Sequence, residues 1–493
     1  VLRFVLAFAL TIPLVGRAAA LPAAAPADLT PAQAVGELRL LKRALVALHP
    51  GLYRYRTPRQ VDAEFALAEA AVGQGASVAT MYLQASRLAA AVQCGHTWAN
   101  PLNQSEAVVQ RLFRAKDKLP LRLRVVENRF LITASSDPHL RAGDELVAID
   151  GRPASALIDE LMPYLRADGS NDGKRRSQLD SGVNGGAMDR LFPLLHPPVG
   201  ERYTLVYRRR SYRPGSPPAS VSVETTRVAD RESELAAAGQ PEPAEAWTLD
   251  IDGPVATLTL PTFAFWRGGF DWKTFLDASF VELQRRGVTR LVLDLRRDEG
   301  GDSAVGDALL AHLLREPYTP AASRPEVSFE RVPYALARYL DTWDFDFFDN
   351  TGHVQRADGR ILRLVGSSEG GASIDPAVPA FRGRVVALVG PEMSSAGFLI
   401  ARDLQRSHAA MLVGQATGGS RRAMNGGQLA WLTLPRSGVA VDIPLVSWVP
   451  DAPQPDQAVL PDIAVTESFE AAARGIDSDM RAGLAALNDA AVW

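Results

Sequence analysis

The sequence predicts an α/β protein with a helical segment at its N-terminal side and a β-rich stretch in the middle. Three observations lead there. Between Pro31 and Gln93, apolar residues recur at three- and four-residue spacing; from about 118 to 230, short strands and turn residues take over; beyond 246, buried-type strands alternate with helices. Strand, loop, helix, strand at that last spacing argues for parallel βαβ units.

The chain has 493 residues, 47% hydrophobic and 22% charged. That composition excludes a disordered chain, a collagen-like fibre and a multi-span membrane protein, and the length suggests about three domains. A formal charge of −3 leaves no basic footprint for nucleic acid. The only cysteine, Cys94, excludes an internal disulfide framework and any multi-cysteine zinc site. Lysine is confined to positions 42, 116, 118, 174 and 273, so no lysine follows Lys273.

Residues 1–20 read as a secretory signal. Arg3 is a short cationic start, Phe4 to Gly16 is mostly apolar, and Ala18-Ala19-Ala20 offers a small-residue cleavage pattern. The run is shorter than the roughly 20 residues of a membrane-spanning helix; an uncleaved anchor is the alternative. No cysteine stands directly after it, which excludes a lipoprotein anchor. Export to the periplasm or beyond is expected, with no stable membrane anchor after cleavage, and an Ala/Pro linker runs to about Pro31.

Three helices are expected near 31–48, 58–72 and 77–93, broken by Pro50-Gly51 and stopped by Gly95. They form a helical domain over 31–115 that carries His96. In 118–230, Leu121–Val126 and Arg129–Thr133 read as a hairpin around Glu127-Asn128, and Glu145–Ile149 as a strand ending in Asp150-Gly151. A helix near 153–166 precedes a polar stretch at 168–174, expected to be a surface loop. Tyr203–Tyr207 and Ser220–Thr225 are two more strands, with a turn-rich junction from Pro214 to Pro218. Residues 230–245, rich in Ala, Glu and Pro, read as a linker. In 246–470, strands at Arg290–Leu295, Val385–Val389 and Met411–Gly414 alternate with helices at about 302–315 and 395–406. Between them, 316–380 is expected to be an irregular insertion whose aromatics (Tyr334, Trp343, Phe345, Phe347, Phe348) cover the site. Residues 471–493 form a C-terminal helix, and no internal repeat is present.

Three segments carry residues suited to chemistry. In Val386-Ala-Leu-Val-Gly-Pro-Glu-Met-Ser394-Ser395-Ala396-Gly397-Phe398, a strand delivers Ser395 to a tight turn at a helix start, where free N–H groups and the helix dipole favour a developing anion. Acyl transfer needs that placement, because the tetrahedral intermediate carries its charge beside the nucleophile; a plain N-cap is the other reading of Ser395. In Leu291-Val-Leu-Asp294-Leu-Arg296-Arg-Asp298-Glu-Gly300-Gly301-Asp302, a second strand enters a glycine turn. The spacing is not that of a phosphate loop, no P-loop lysine follows, and Asp298, Glu299 and Asp302 repel phosphate. Backbone donors for an oxyanion fit better. The third segment, Val92-Gln93-Cys94-Gly95-His96-Thr97-Trp98, places a histidine just past a helix end. The other histidines (49, 139, 196, 312, 353 and 408) show no metal-ligand spacing. Cys94 beside His96 is conceivable as a nucleophile, but such pairs normally meet through the fold, and packing against the helix suits it better.

Together these segments resemble the C-terminal processing (tail-specific) serine peptidases, in particular the tricorn-like subset that uses serine and histidine. Residues 294–301 are similar to the family's D-L-R-x-N-x-G-G motif, with Asp298 where Asn is usual. Ser395-Ala396-Gly397 is similar to its S-A-[SAG] nucleophile turn, Gly414-Gln-Ala-Thr417-Gly418-Gly419 to G-E-x-T-x-G, and Cys94-Gly95-His96-Thr97 to D/C-G-H-T. His49-Pro50-Gly51-Leu52-Tyr53 resembles the N-terminal helical region, and Leu140 to Gly151 resembles a PDZ core. The resemblance implies a crotonase- or Clp-protease-like βα core at 246–470, a PDZ-like domain at 118–230, and a serine endopeptidase acting on proteins or peptides, with recognition of their C-termini as one option. Ser395 would be the nucleophile, His96 the base, and the N–H groups of Ala396 and of Gly300 or Gly301 the oxyanion donors. No metal or organic cofactor is required.

Departures from the family pattern matter as well. Members with a Ser-Lys dyad carry lysine where this chain has Ser420, so a lysine from this half of the chain is excluded as base. Phe398 replaces the usual glutamate three residues after the nucleophile. The late E-x-x-G-[IV]-x-P-D becomes Pro455-Asp456-Gln-Ala-Val459-Leu-Pro461-Asp462, which makes Asp456 the first candidate for the third catalytic residue. A catalytically weak peptide-binding protein that keeps the fold is the alternative function. An esterase is disfavoured, because Met393 stands where G-x-S-x-G requires glycine.

Overall fold

The computed structural model describes residues 28–181, 186–211, 217–240, 246–266, 268–366 and 372–492. The expected leader, part of the 214–218 junction and residues 241–245 lie outside the described residues.

Three helices open the described chain, Pro31–Leu48, Pro58–Ala71 and Val78–Ala91. Their starts are chemically marked. Thr30 and Thr57 each precede a proline and close a capping box with Gln33 and Gln60, and Ser77 caps the third helix. Their apolar faces (Leu38, Leu41, Leu45, Leu48, Phe65, Val78, Met81, Leu88) share one core with the next unit.

That unit is an antiparallel sheet in the spatial order Leu121–Val126, Arg129–Ser135, Glu145–Ile149, Arg202–Arg208, Ala219–Glu224. Glu127 and Asn128 both have positive φ (51° and 59°), which a two-residue turn matched to strand twist requires. The helix Ala154–Leu161 packs on the sheet. Two expectations are corrected here. The 168–174 stretch is no surface loop: Asp168 and Lys174 are buried, and a short helix, Asp172–Ser177, follows Asn171. Part of the expected linker is the helix Val228–Ala237. Its Arg231 is fully buried, with Nη1 and Nη2 donating to the two Asp189 carboxylate oxygens (2.7 and 2.9 Å) and Nη1 also to the Leu121 carbonyl. A composition suited to a linker is overridden by one guanidinium that needs a buried acceptor.

The remaining chain forms a six-stranded sheet in the order Ile463–Ala464, Met411–Gly414, Arg384–Val389, Arg290–Asp294, Val255–Thr259, Thr248–Asp252. All neighbours are parallel except the last pair. Side chains alternate by strand pleat. Leu291, Leu293, Val385, Ala387 and Leu412 face a core shared with the helices Trp272–Arg285, Ser303–Ala311 and Ala396–Arg406. Val292, Val386, Leu388 and Val413 face the C-terminal helix Ser478–Asn488.

The 316–380 segment is less irregular than expected. Ser323–Val327, Val354–Asp358 and Ile361–Leu364 join Met424–Asn425 and Ser447–Pro450 in an antiparallel sheet. Its aromatics do not form a cover. Phe347 and Phe348 pack on the N-terminal core, Trp343 meets Trp431 at 5.6 Å between ring centroids, and Tyr334 is exposed.

Removing one partner of a buried ion pair leaves the other charge uncompensated, at a cost of roughly 3–5 kcal/mol. Arg231→Met should therefore lower the free energy of urea unfolding by about that amount. An unchanged midpoint would show that the helix Val228–Ala237 is not held by this pair.

Candidate active site

The strands Arg290–Asp294 and Arg384–Val389 lie side by side in parallel, so their carboxyl ends open on the same edge of the sheet. Ligands of open α/β sheets bind at that edge. The first strand leads into the turn holding Gly300 and Gly301, the second into the turn holding Ser394 and Ser395. Ser395 sits immediately before the helix Ala396–Arg406 with φ 52° and ψ −128°, a left-handed backbone that is strained for a residue with a side chain. Two glycines let the turns meet. A Cβ on Gly300 would lie 2.7 Å from Ser395 Cβ, and one on Gly397 would lie 2.4 Å from the Asp298 carbonyl oxygen. Ser395 makes no side-chain cap hydrogen bond, so the plain N-cap reading does not hold.

His96 arrives from the far end of the sequence. Its loop is fastened to the last third of the chain: Asn100 Nδ2 and Asn103 Nδ2 donate to the Asp442 carboxylate, and Asn425 Nδ2 donates to Cys94 Sγ at 3.2 Å. Trp98 bridges to Asp442 on the strand Ala440–Pro444. The result is a contact of 3.2 Å between His96 Nε2 and Ser395 Oγ, across 299 positions. Burial, then Arg166 and Lys174, push the imidazole down to about 4, with Glu299 opposing. The ring is therefore neutral at neutral pH, the state in which Nε2 accepts a proton from Ser395. That tautomer places the ring proton on Nδ1, which is buried and has no hydrogen-bond partner among the described residues.

Asp456 does not supply that partner. Its Oδ2 accepts from Ser170 N and Oγ (3.1 and 2.9 Å) and its Oδ1 from Ser420 Oγ (2.9 Å), with no hydrogen bond to His96. The position that carries lysine in dyad members thus holds a serine that draws Asp456 to itself. Among the expected oxyanion donors, the Gly300 N–H is taken by Asp298 Oδ1 at 2.9 Å. The N–H groups of Gly301 and Ala396 have no hydrogen-bond partner among the described residues. Cys94 is no nucleophile: burial pushes its thiol up to about 11, and its sulfur accepts from Asn425 Nδ2. His49 is likewise structural, buried and bonded through Nε2 to Thr97 Oγ1 at 2.8 Å.

Sequence reasoning missed Arg166, at the end of the expected helix near 153–166, and Asp168 and Lys174, which enter the site from the polar stretch. Asp168 Oδ1 accepts from Gly95 N at 2.8 Å, directly before His96. Asp298 is fully buried, with Oδ2 unpartnered among the described residues, and burial pushes its carboxyl up to about 7. A protonated Asp298 resembles the amide that the family motif carries there. No group of His, Cys, Asp and Glu among the described residues is arranged to hold a metal ion, and no described helix is long and apolar enough to cross a membrane.

Residues 254–465 match the model of peptidase family S41. Among solved structures, the chain is similar in fold to a mutant of CPAF (15% identity, covering 94% of this chain and 97% of that one, TM-score 0.61). It is also similar to mature CPAF complexed with lactacystin (15% identity, 93% and 97% coverage, TM-score 0.58). No curated protein matches significantly by sequence.

The electrostatics of the site can be read directly. In an NMR titration assigned with a His96→Ala variant, the His96 ring should stay neutral from pH 8 to pH 5 and protonate with a midpoint at about 4. A midpoint near the ordinary value of 6.5 would contradict the buried, cation-flanked setting.

Proposed function

From the premise that residues 254–465 belong to peptidase family S41 and make this chain a serine-type peptidase acting on proteins or peptides, we propose that it is an exported endopeptidase with Ser395 as nucleophile and His96 as general base. The observation that carries the reading is the 3.2 Å contact between His96 Nε2 and the oxygen of a serine on a strained turn. Ser395 Oγ attacks the scissile carbonyl carbon while its proton passes to His96 Nε2. The carbonyl oxygen becomes an oxyanion beside the helix start, where the N–H groups of Ala396 and Gly301 receive it. Collapse breaks the C–N bond, and His96 returns the proton to the leaving amine. Water then attacks the acyl-enzyme by the reverse roles, releasing the acid and free Ser395. No metal or organic cofactor enters these steps.

One observation favours the second reading, a catalytically weak peptide-binding protein: His96 Nδ1 lacks a carboxylate partner among the described residues. A neutral imidazole held by its surroundings still serves as base, so hydrolysis remains the preferred reading. Export rests on the apolar run Phe4 to Gly16 with its alanine-rich boundary.

Recognition of free C-termini in the 118–230 unit draws support from β-augmentation at an open sheet edge. The edge at Leu121–Val126 is already occupied: Leu123 N donates to Ser181 Oγ, Ser181 N to the Leu123 carbonyl, and Val125 N to Asp180 Oδ1. The outer strand Ala219–Glu224 is the edge that remains for a peptide.

Two outcomes test the proposal. Hydrolysis of a mixed peptide library should fall by about 10⁴-fold or more in Ser395→Ala, with His96→Ala similarly impaired. Undiminished cleavage by Ser395→Ala would remove the mechanism, and a wild type that binds but cleaves no peptide would establish the weak-binder reading. Peptides ending in a free carboxylate should show a lower KM than their amidated twins; equal KM values would remove terminus recognition.

A further inference from the structure

The site is assembled from three separate turns, those of His96, Gly300–Gly301 and Ser395, and one small charged network touches all of them. Lys174, whose side chain is 1% exposed, donates from Nζ to Glu299 Oε1 at 2.6 Å and to the Glu392 carbonyl at 2.7 Å. Glu299 directly precedes Gly300, and Glu392 lies three positions before Ser395. On its other oxygen, Glu299 accepts from Arg166 Nη2 at 3.3 Å, and Arg166 Nη1 donates to the carbonyl of Gly95, the residue before His96. The Arg166 guanidinium is fixed from below by the Trp98 ring, 3.9 Å from its centroid.

Resting on the peptidase reading above, the geometry points to Lys174 as a positioning residue of the catalytic centre: with Glu299 and Arg166 it sets the oxyanion turn, the nucleophile turn and the histidine loop relative to one another. None of the three needs to touch substrate. The physical case is the cost of keeping them. A lysine ammonium taken out of water is expensive unless paired and hydrogen-bonded, and a salt bridge to a half-exposed carboxylate is weak as pure stabilisation. The Glu299 side chain is 49% exposed. The Lys174 chain also threads a tight passage, since a Cβ on Gly418 would lie 2.9 Å from its Cδ. Such an arrangement suits geometric control of two backbone turns better than it suits stability. Lys174 and Arg166 come from the 166–178 segment of the β-rich unit, whereas Glu299 and Glu392 belong to the βα core, so the network also joins the two units at the site.

Charge adds a readout that a structural tie does not share. Facing His96 are Arg166 and Lys174 from the 166–178 segment, Glu299 from the oxyanion turn and His49 from the N-terminal unit, while Cys94 Sγ accepts from the His96 N–H and Asp168 from the neighbouring Gly95 N–H; Glu392 in turn faces Lys174 and Glu299, and Arg54 faces His49, Cys94 and Asp168. Lys174 is among the cations that keep His96 neutral. Lys174→Met removes that cation, so the imidazole protonates at a higher pH and the acid limb of kcat moves up.

The test uses the full chain with a fluorogenic peptide chosen from those the wild type cleaves, and circular dichroism to establish folding. Lys174→Met should lose on the order of 10²-fold in kcat, the usual consequence of misplacing reacting groups by about an ångström. Its KM should stay close to that of the wild type, and it should retain a smaller fraction of its own plateau rate at pH 4.5. Glu299→Gln, which keeps an oxygen for Lys174 but removes the charge, is the second variant. It should also lose kcat, with its acid limb displaced in the opposite direction. A folded Lys174→Met or Glu299→Gln variant with wild-type kcat, or one with both acid limbs unmoved, would overturn the positioning role while leaving the peptidase reading intact. A wild type that hydrolyses no peptide would instead overturn the peptidase reading on which this inference stands.

Discussion

Two parallel strands ending side by side set the conditions for everything else in this protein. Because Arg290–Asp294 and Arg384–Val389 are hydrogen-bonded neighbours in register, the turns that follow them must share a small space at the sheet edge. Glycine at 300 and 397 removes the Cβ atoms that would collide there, and Ser395 accepts a left-handed backbone before its helix. A nucleophile-like hydroxyl and backbone N–H groups at Gly301 and Ala396 without a hydrogen-bond partner among the described residues follow from that single packing constraint, before any histidine arrives. The hydrophobic layers on the two faces of the sheet hold the strands in place, so the strain at Ser395 is carried by the core rather than by the turn itself.

The histidine is brought by a different logic. The N-terminal helices share their core with the β-rich unit and with strands near the end of the chain, including Ala430, Leu432, Val441 and Ile443. Asp442 and Asn425 then hydrogen-bond side chains of the His96 loop, Asn100 and Cys94. A histidine so distant in sequence is placed within reach of Ser395 by several independent polar ties, and its low proton affinity follows from the same burial. A neutral imidazole in an enclosed setting with two nearby cations needs no carboxylate to stay neutral, although an Nδ1 hydrogen with no partner among the described residues costs about 1–3 kcal/mol.

Much of this was legible in the sequence where the signal was local. The three N-terminal helices, the Glu127-Asn128 turn and the apolar strands at 290–294, 384–389 and 411–414 each depend on nearby residues, and each is where the pattern puts it. Ser395 stood out because a strand delivers it to a turn at a helix start, and His96 because Cys94-Gly95-His96-Thr97 resembles a family motif. What was missed depends on distant partners. Lys174 looks like part of a polar loop until Glu299 and Glu392 are brought to it. Arg231 looks like linker composition until Asp189 is buried beside it. Ser323–Val327, with Pro325 inside it, becomes a strand because Ser447–Pro450 and Ile361–Leu364 lie on either side of it. Asp456 shows the same limit from the other side: its position one residue from a motif slot suggested a partner for His96, but Ser420 and Ser170 occupy its oxygens.

The central claim is that Ser395 is the activated hydroxyl of this chain, and covalent capture reads it most directly. The native protein treated with a fluorophosphonate at neutral pH, then digested and mapped by mass spectrometry, should carry one adduct, on Ser395. An adduct on Ser394 instead, or a folded protein that takes up no label, would contradict the account.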